Sequence, residues 1–94
     1  MKKAYLLVYG PSLGTREELE ICLNGLAQVL DWRYDLPQSF YILSVESSEK
    51  LADLIYETMG RKGRFIIAEV NENSNGYLPK ASWYLLRNRQ RMPE

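Results

Sequence analysis

Three segments of the chain are apolar at most consecutive positions, and this feature limits the folds open to it. They span residues 4–9, 39–45 and 64–70, and they are rich in the aromatic and β-branched side chains typical of strands. Successive side chains of a strand point to opposite faces, so a sheet made from these segments is apolar on both faces. A half-solvated antiparallel sheet would instead alternate apolar with polar residues. We therefore expect both faces of this sheet to be covered.

Two amphipathic helices are predicted between the strands. Thr15 and Glu18 have the spacing of a capping box, in which each side chain bonds the backbone N–H of the other residue. Apolar residues follow at intervals of three and four, and they form one helical face: Leu19, Cys22, Leu23, Leu26, Val29 and Leu30. Ser47 or Ser48 is expected to begin the second helix, and Gly60 to end it.

Residues 31–35 form a further extended segment. A connection of three residues, short enough for a hairpin, joins it to the strand at 39–45. The predicted order is βαββαβ, so we expect the α+β class: a ferredoxin-like sandwich with a four-stranded antiparallel sheet and two helices on one face. The 94 residues suffice for a single domain. Residues 1–70 form its predicted core, and residues 71–94 form a C-terminal appendage with a polar turn, a short helix after Pro79 and a basic tail.

The second face of the sheet, away from the two helices, needs a cover of its own. The appendage carries Trp83 and Leu86 and can lie over this face within its own chain. Alternatively, a second protomer covers the face, or the appendage crosses to that protomer. We expect a two-fold homodimer, because the isologous pair is the commonest oligomer. The residues expected at its interface are Tyr5, Leu7, Tyr9, Phe65, Trp83 and Tyr84.

The composition excludes several kinds of site. The chain has no histidine and a single cysteine, Cys22, which removes imidazole bases, disulfides and cysteine-rich zinc sites from consideration. We expect no catalytic residue, no metal ligand and no cofactor. The apolar runs are far shorter than the roughly 20 residues that a membrane span needs. We therefore expect a cytoplasmic protein without a membrane partner.

The net charge is zero, but the charges are unevenly distributed. Residues 16–57 carry nine acidic and three basic side chains, whereas residues 58–94 carry three acidic and seven basic ones. Basic side chains can neutralise phosphates without reading a base sequence, and they can also serve only to solvate a surface. The candidate nucleic-acid-binding residues lie in two groups: Arg61, Lys62 and Arg64 before the last strand, and Arg87, Arg89 and Arg91 in the tail.

Four stretches resemble one family of small proteins. They span residues 5–9, 39–42, 64–70 and 76–86, and the most specific is the Gly-Tyr-Leu-Pro-Lys-x-x-Trp sequence that begins at Gly76. In these stretches the chain resembles the SinR-like proteins, which are relatives of the CRISPR adaptation protein Cas-two. The resemblance implies a ferredoxin-like dimer. It also implies one of two activities, since members are metal-dependent nucleases, some of them toxin-like, or structural subunits that bind nucleic acid.

The chain departs from the nuclease members of that family at one position. In those members the first strand ends in a Tyr-Asp pair whose aspartates hold a divalent cation near the dimer axis, whereas here the pair is Tyr9–Gly10. Glycine has no carboxylate to offer to Mg²⁺. We therefore expect a non-catalytic dimeric module that binds nucleic acid or another protein. The alternative is a divalent-metal endonuclease or toxin-like ribonuclease that uses Mg²⁺ or Mn²⁺ through other carboxylates.

Overall fold

The structure is a computed structural model that describes residues 1–94, and it contains four strands and three helices. In chain order these are β1 (Lys3–Tyr9), α1 (Arg16–Gly25), β2 (Asp31–Arg33), β3 (Ser39–Ser44), α2 (Ser48–Thr58), β4 (Phe65–Val70) and α3 (Lys80–Asn88). The strands form one antiparallel sheet in the order β2-β3-β1-β4. The predicted α+β class is confirmed, and the architecture is consistent with a ferredoxin-like fold. None of the three helices combines the length and the apolar character needed to cross a membrane.

Side-chain caps fix where the first two helices begin. The Thr15 hydroxyl accepts a hydrogen bond from the Glu18 backbone N–H at 3.1 Å, and the Glu18 carboxylate accepts one from the Thr15 N–H at 2.8 Å. The predicted capping box is thus confirmed, and these bonds hold the pKa of the Glu18 carboxyl below its usual value. Helix α1 is shorter than its apolar series predicts, because the backbone is already extended at Leu26.

The first layer of the core lies between the sheet and helices α1 and α2. Tyr5, Leu7 and Tyr9 point from β1 into this layer, and each is at most 5% exposed. The buried residues packed with them are Leu13, Leu19, Cys22, Leu23, Phe40, Ile42, Leu51 and Ile55. This placement corrects the expectation that the three β1 residues lie at a dimer interface. Both faces of β1 are apolar, so alternation alone could not tell which face the helices cover.

Helix α3 covers part of the second face of the sheet within its own chain. Its Leu85 and Leu86 pack on Ala4, Tyr41 and Leu43, and all five side chains are buried. The sequence left open whether the appendage lies on its own sheet, crosses to a second protomer, or leaves the face to that protomer. In the structure the appendage lies on the sheet of its own chain. Helix α3 does not cover the whole of this face, and part of β1 and β4 remains exposed to solvent.

Candidate interaction surfaces

An apolar strip on the second face of the sheet remains uncovered. Val8 on β1 lies directly opposite Ile66 on β4, and their side chains are 43% and 65% exposed. Leu6 and Ala68 form the neighbouring pair, with Leu6 half-buried and Ala68 exposed. We call these four residues the β1–β4 strip. Because β4 is an edge strand of the sheet, the strip lies beside unpaired backbone groups as well.

A groove adjoins the β1–β4 strip beneath the segment that leads into α3. It has a volume of about 270 Å³, and most of its lining is apolar. The lining includes Leu6 of the strip, so strip and groove form one continuous apolar surface. Tyr77 stands at the rim, where its side chain is fully exposed. We call this cavity the α3 groove; its other principal lining residues are Leu36, Tyr41, Val70, Leu78, Trp83 and Leu86.

Tyr41 lines the α3 groove, but its hydroxyl is buried and does not reach the open space of the groove. The residue is 3% exposed, and its buried hydroxyl lies close to the Asp35 carboxylate. The same carboxylate accepts hydrogen bonds from Arg33 and Ser82. Burial, and after it the negative charge of Asp35, raises the pKa of Tyr41 to about 12, so the hydroxyl keeps its proton at neutral pH.

A buried polar network fixes α3 to the hairpin of β2 and β3. Arg33 Nε donates to the Ser82 hydroxyl at 2.6 Å, and the same hydroxyl donates to the Asp35 carboxylate. Ser82 is completely buried, which gives it no access to a substrate, so its role is to position α3. Sequence reasoning missed this network, because Ser82 lies 47 residues from Asp35 and 49 from Arg33, and no local pattern marks such a contact.

Most of the predicted nucleic-acid-binding residues hold the protein's own structure. Arg61 pairs with Glu57 at 2.7 Å, and Arg91 makes two hydrogen bonds to the Asp31 carboxylate at 3.0 and 2.6 Å. Arg87 and Arg89 donate to backbone carbonyls. The guanidinium group of Arg87 also lies 4.6 Å from the Trp83 ring centroid, in a cation–π contact. Lys62 and Arg64 form no ion pair and are exposed.

The two basic groups lie at opposite ends of β4. Residues 61–64 precede the strand, whereas Arg87 and Arg89 donate to residues 70–74, which end it and follow it. Six residues of strand span roughly 20 Å. The structure therefore does not bring the six predicted cations into one patch.

The ion pair between Arg91 and Asp31 makes stability depend on pH. Hydrogen bonds from Arg91 hold the pKa of the Asp31 carboxyl below its usual value, so the pair stabilises the folded state above that usual value. This contribution is lost as the pH falls through the lowered pKa. Because the Arg91 side chain is 74% exposed, we expect Arg91→Ala to cost no more than about 1 kcal/mol at neutral pH.

Urea unfolding at several pH values tests this expectation. The difference between wild type and Arg91→Ala should shrink between about pH 5 and pH 2, as Asp31 becomes protonated. A difference that stays constant across this range would show that Asp31 is not the partner responsible. The doubly substituted Asp31→Asn, Arg91→Ala chain is the matched control, and its stability should depend less on pH.

The structure shows no close steric contact that requires glycine at position 10. The Gly10 backbone N–H donates to the Arg64 carbonyl at 2.9 Å, and a side chain built at Gly10 would meet that carbonyl at 3.8 Å, an ordinary contact. A Cβ atom at this position would therefore fit. No group of three or more Asp, Glu, Cys or His side chains lies close enough together to hold a metal ion.

Of the six residues predicted at a dimer interface, only Trp83 belongs to the second-face layer. It is half-buried and packs against the core under α3, while Phe65 packs against the first layer with the three β1 residues. Tyr84 is half-buried, and its hydroxyl accepts a 3.3 Å hydrogen bond from Gln90. The residues with most exposed apolar surface on this face are instead Ile66 and Tyr77.

Comparisons with family models, with characterised proteins and with solved structures found no match to this chain.

Proposed function

We propose that the protein is a non-catalytic homodimeric module, related to the SinR-like proteins and built on a ferredoxin-like βαββαβ sandwich, that binds nucleic acid through its phosphates. The observation that carries the proposal is the exposed β1–β4 strip, together with two cations without ion pairs in the chain just before β4. The strip offers apolar surface for a second copy, and Lys62 and Arg64 lie next to the start of β4.

The dimer half of the proposal rests on the energetics of the strip. Burying apolar surface gains roughly 25 cal/mol per Å², and monomeric proteins rarely leave a large contiguous apolar patch in water. Val8 and Ile66 are β-branched, and they face each other on neighbouring strands, so they form a flat surface that a second copy can match. A two-fold axis through the strip would bury both copies of it at once.

The nucleic-acid half rests on charges that the fold leaves available. Lys62 and Arg64 form no ion pair with an acidic side chain, and a dimer presents each of them twice. Arg87 and Arg89 keep their full charge, because their acceptors are neutral backbone carbonyls. Arg91 and Arg61 are already paired with carboxylates and have less charge to offer. Contacts of this kind bind the phosphate backbone and carry no sequence information.

The salt dependence of binding tests the assignment. We expect the double variant Lys62→Ala, Arg64→Ala to reduce the slope of log affinity against log salt by about one unit for each phosphate that is no longer neutralised. Fluorescence anisotropy of a labelled duplex and a labelled single strand, measured over a series of KCl concentrations, gives the slope. The matched control is Arg91→Ala, which removes one cation that Asp31 already neutralises and should change the slope little.

Two results would contradict the nucleic-acid assignment. An unchanged slope in the double variant would remove these two residues from the contact surface. Absence of binding at every salt concentration would leave a dimer whose partner is another protein.

The resemblance to metal-dependent nucleases supplies the competing function. Incubating the protein with RNA and with DNA, in Mg²⁺ or Mn²⁺ and then with a chelator, separates the two activities. We expect no cleavage in either condition, because Gly10 replaces the aspartate that the nuclease members use. Cleavage that disappears with chelator would overturn the non-catalytic assignment in favour of an endonuclease.

A further inference from the structure

Two asparagines in the chain are each followed by glycine, Asn24 by Gly25 and Asn75 by Gly76, and the fold places them differently. We propose that Asn75 is a site of spontaneous deamidation in the folded protein, where the Gly76 backbone nitrogen displaces the side-chain amide. The fold protects Asn24 from the same reaction. The product carries a new carboxylate in the segment that joins β4 to α3.

The reaction needs only water and hydroxide. Hydroxide removes the proton of the Gly76 N–H, and the nitrogen attacks the Cγ atom of Asn75. A new N–Cγ bond closes a five-membered succinimide ring, while the bond between Cγ and the side-chain nitrogen breaks and ammonia leaves with a proton from water. Water then opens the ring at either carbonyl. The products are aspartate in the ordinary main chain and isoaspartate, in which the main chain runs through Cγ.

The Asn75 side chain is already turned towards the nitrogen that attacks it. The Gly76 N–H donates a hydrogen bond to Asn75 Oδ1 at 2.9 Å, and Oδ1 is bonded directly to Cγ. Reacting atoms in near-attack geometries lie about 3–3.5 Å apart. The hydrogen bond therefore holds the side-chain amide in the neighbourhood that ring closure requires.

The surroundings of Gly76 leave its nitrogen open to base. Asn75 and Gly76 are both exposed and lie outside every helix and strand, and the Gly76 N–H donates to no backbone carbonyl. A Cβ atom built at Gly76 would meet only one carbon of the Trp83 ring, at 3.9 Å. Glycine itself has no side chain to crowd the approach. Ring closure at Asn75 therefore breaks no element of the fold.

Asn24 is equally exposed, but the fold holds both of its reacting groups in other bonds. Its Oδ1 accepts a hydrogen bond from Trp32 Nε1 at 2.8 Å, which ties the side chain to β2. Gly25 is the last residue of α1, so its N–H belongs to the hydrogen-bond ladder of the helix. The sequence ranks the two Asn-Gly pairs equally, and only the structure separates them.

Peptide mapping of the incubated protein is the principal test. Trypsin places the two pairs in separate peptides, residues 17–33 and 65–80, and mass spectrometry detects the replacement of an amide NH₂ by a hydroxyl group. In the folded protein at mildly alkaline pH, we expect the 65–80 peptide to convert at least about tenfold faster, because Asn24 must wait for the end of α1 to open. Equal rates, or faster conversion of the 17–33 peptide, would overturn the proposal.

Two controls assign the difference to the fold and to Asn75. In urea both pairs are free, so the two peptides should convert at similar rates; a preference that persists there would overturn the structural explanation. Asn75→Gln lengthens the side chain and prevents closure of the five-membered ring, so its 65–80 peptide should stay unconverted. Continued conversion in this variant would place the reaction at Asn71 or Asn73 and overturn the assignment.

The new charge has a consequence that, unlike the modification, rests on the proposed function. The carboxylate lies one residue from Ser74, whose hydroxyl and carbonyl accept hydrogen bonds from Arg87. Asn75→Asp should therefore weaken nucleic-acid binding by about threefold at low salt, whereas the uncharged Asn75→Gln should not. Equal affinities of the two variants would overturn this consequence. Absence of binding in the wild type would overturn the proposed function and leave the modification to the peptide map.

Discussion

Gly63→Ala should destabilise the protein by about 4 kcal/mol and lower its thermal midpoint by roughly 20 °C. Gly63 has a φ of +86°, in the left-handed region that an alanine adopts only with strain. A Cβ atom there would also lie 2.4 Å from the Cα atom and 2.6 Å from the nitrogen of Leu13. Because Leu13 is completely buried and these are backbone atoms, neither neighbour can move aside cheaply.

The control for this substitution is Gly25→Ala at the end of α1. A Cβ atom at Gly25 meets nothing within 4 Å, and alanine is the better helix former, so we expect a gain of about 0.5 kcal/mol. Urea unfolding followed by tryptophan fluorescence measures both variants. Equal effects of the two substitutions would mean that the loop before β4 does not rest on Leu13.

Leu85→Ala is the second substitution with a large expected effect. Leu85 is 1% exposed and is part of the contact between α3 and the second face of the sheet. Truncating a buried leucine removes apolar contact and leaves a cavity, which costs about 3 kcal/mol. The same change loosens the helix that covers part of an apolar face, so we expect the variant to bind a hydrophobic dye and to associate non-specifically.

Asn88→Ala, at the exposed end of the same helix, is the matched control. Its side chain donates a single 3.1 Å hydrogen bond to the Tyr84 carbonyl, so its replacement should change stability by no more than about 0.5 kcal/mol. If Leu85→Ala were equally mild, α3 would not be packed on the sheet, and the whole second face would be open to a partner.

Much of the local structure follows from the sequence. The capping box at Thr15 and the beginning of α3 after Pro79 depend on residues close together in the chain, and the structure has them where the sequence predicts them. The strands agree with their predicted ranges to within one residue, except that β2 ends at Arg33 and not at residue 35. The end of α1 is different. The apolar spacing continues through Leu26 and Val29 and so predicts a longer helix, but those residues pack against the core from a non-helical connection.

Which face of the sheet lies under the two long helices could not be predicted. Alternation assigns Tyr5 and Leu7 to one face and Ala4 and Leu6 to the other, and both sets are apolar. The choice depends on crossover geometry, which no single residue encodes. The expectation that something besides α1 and α2 covers the second face is met in part by α3, and this cover leaves Val8 and Ile66 exposed.

The site residues were the least predictable part. Clusters of arginine indicate charge, but they do not reveal whether a carboxylate elsewhere in the chain neutralises it. Asp31 lies 60 residues from Arg91, and the two meet only because β2 and the end of α3 come together in the fold. In the sequence Tyr77 is marked only as part of a longer motif, and its full exposure is visible only in the structure.

The order of α3 in the chain has a consequence for synthesis on the ribosome. Helix α3 follows every strand that it covers, so β1, β3 and β4 emerge from the exit tunnel before their cover does. During that interval the face of the sheet that α3 later covers presents apolar surface to water and to neighbouring nascent chains.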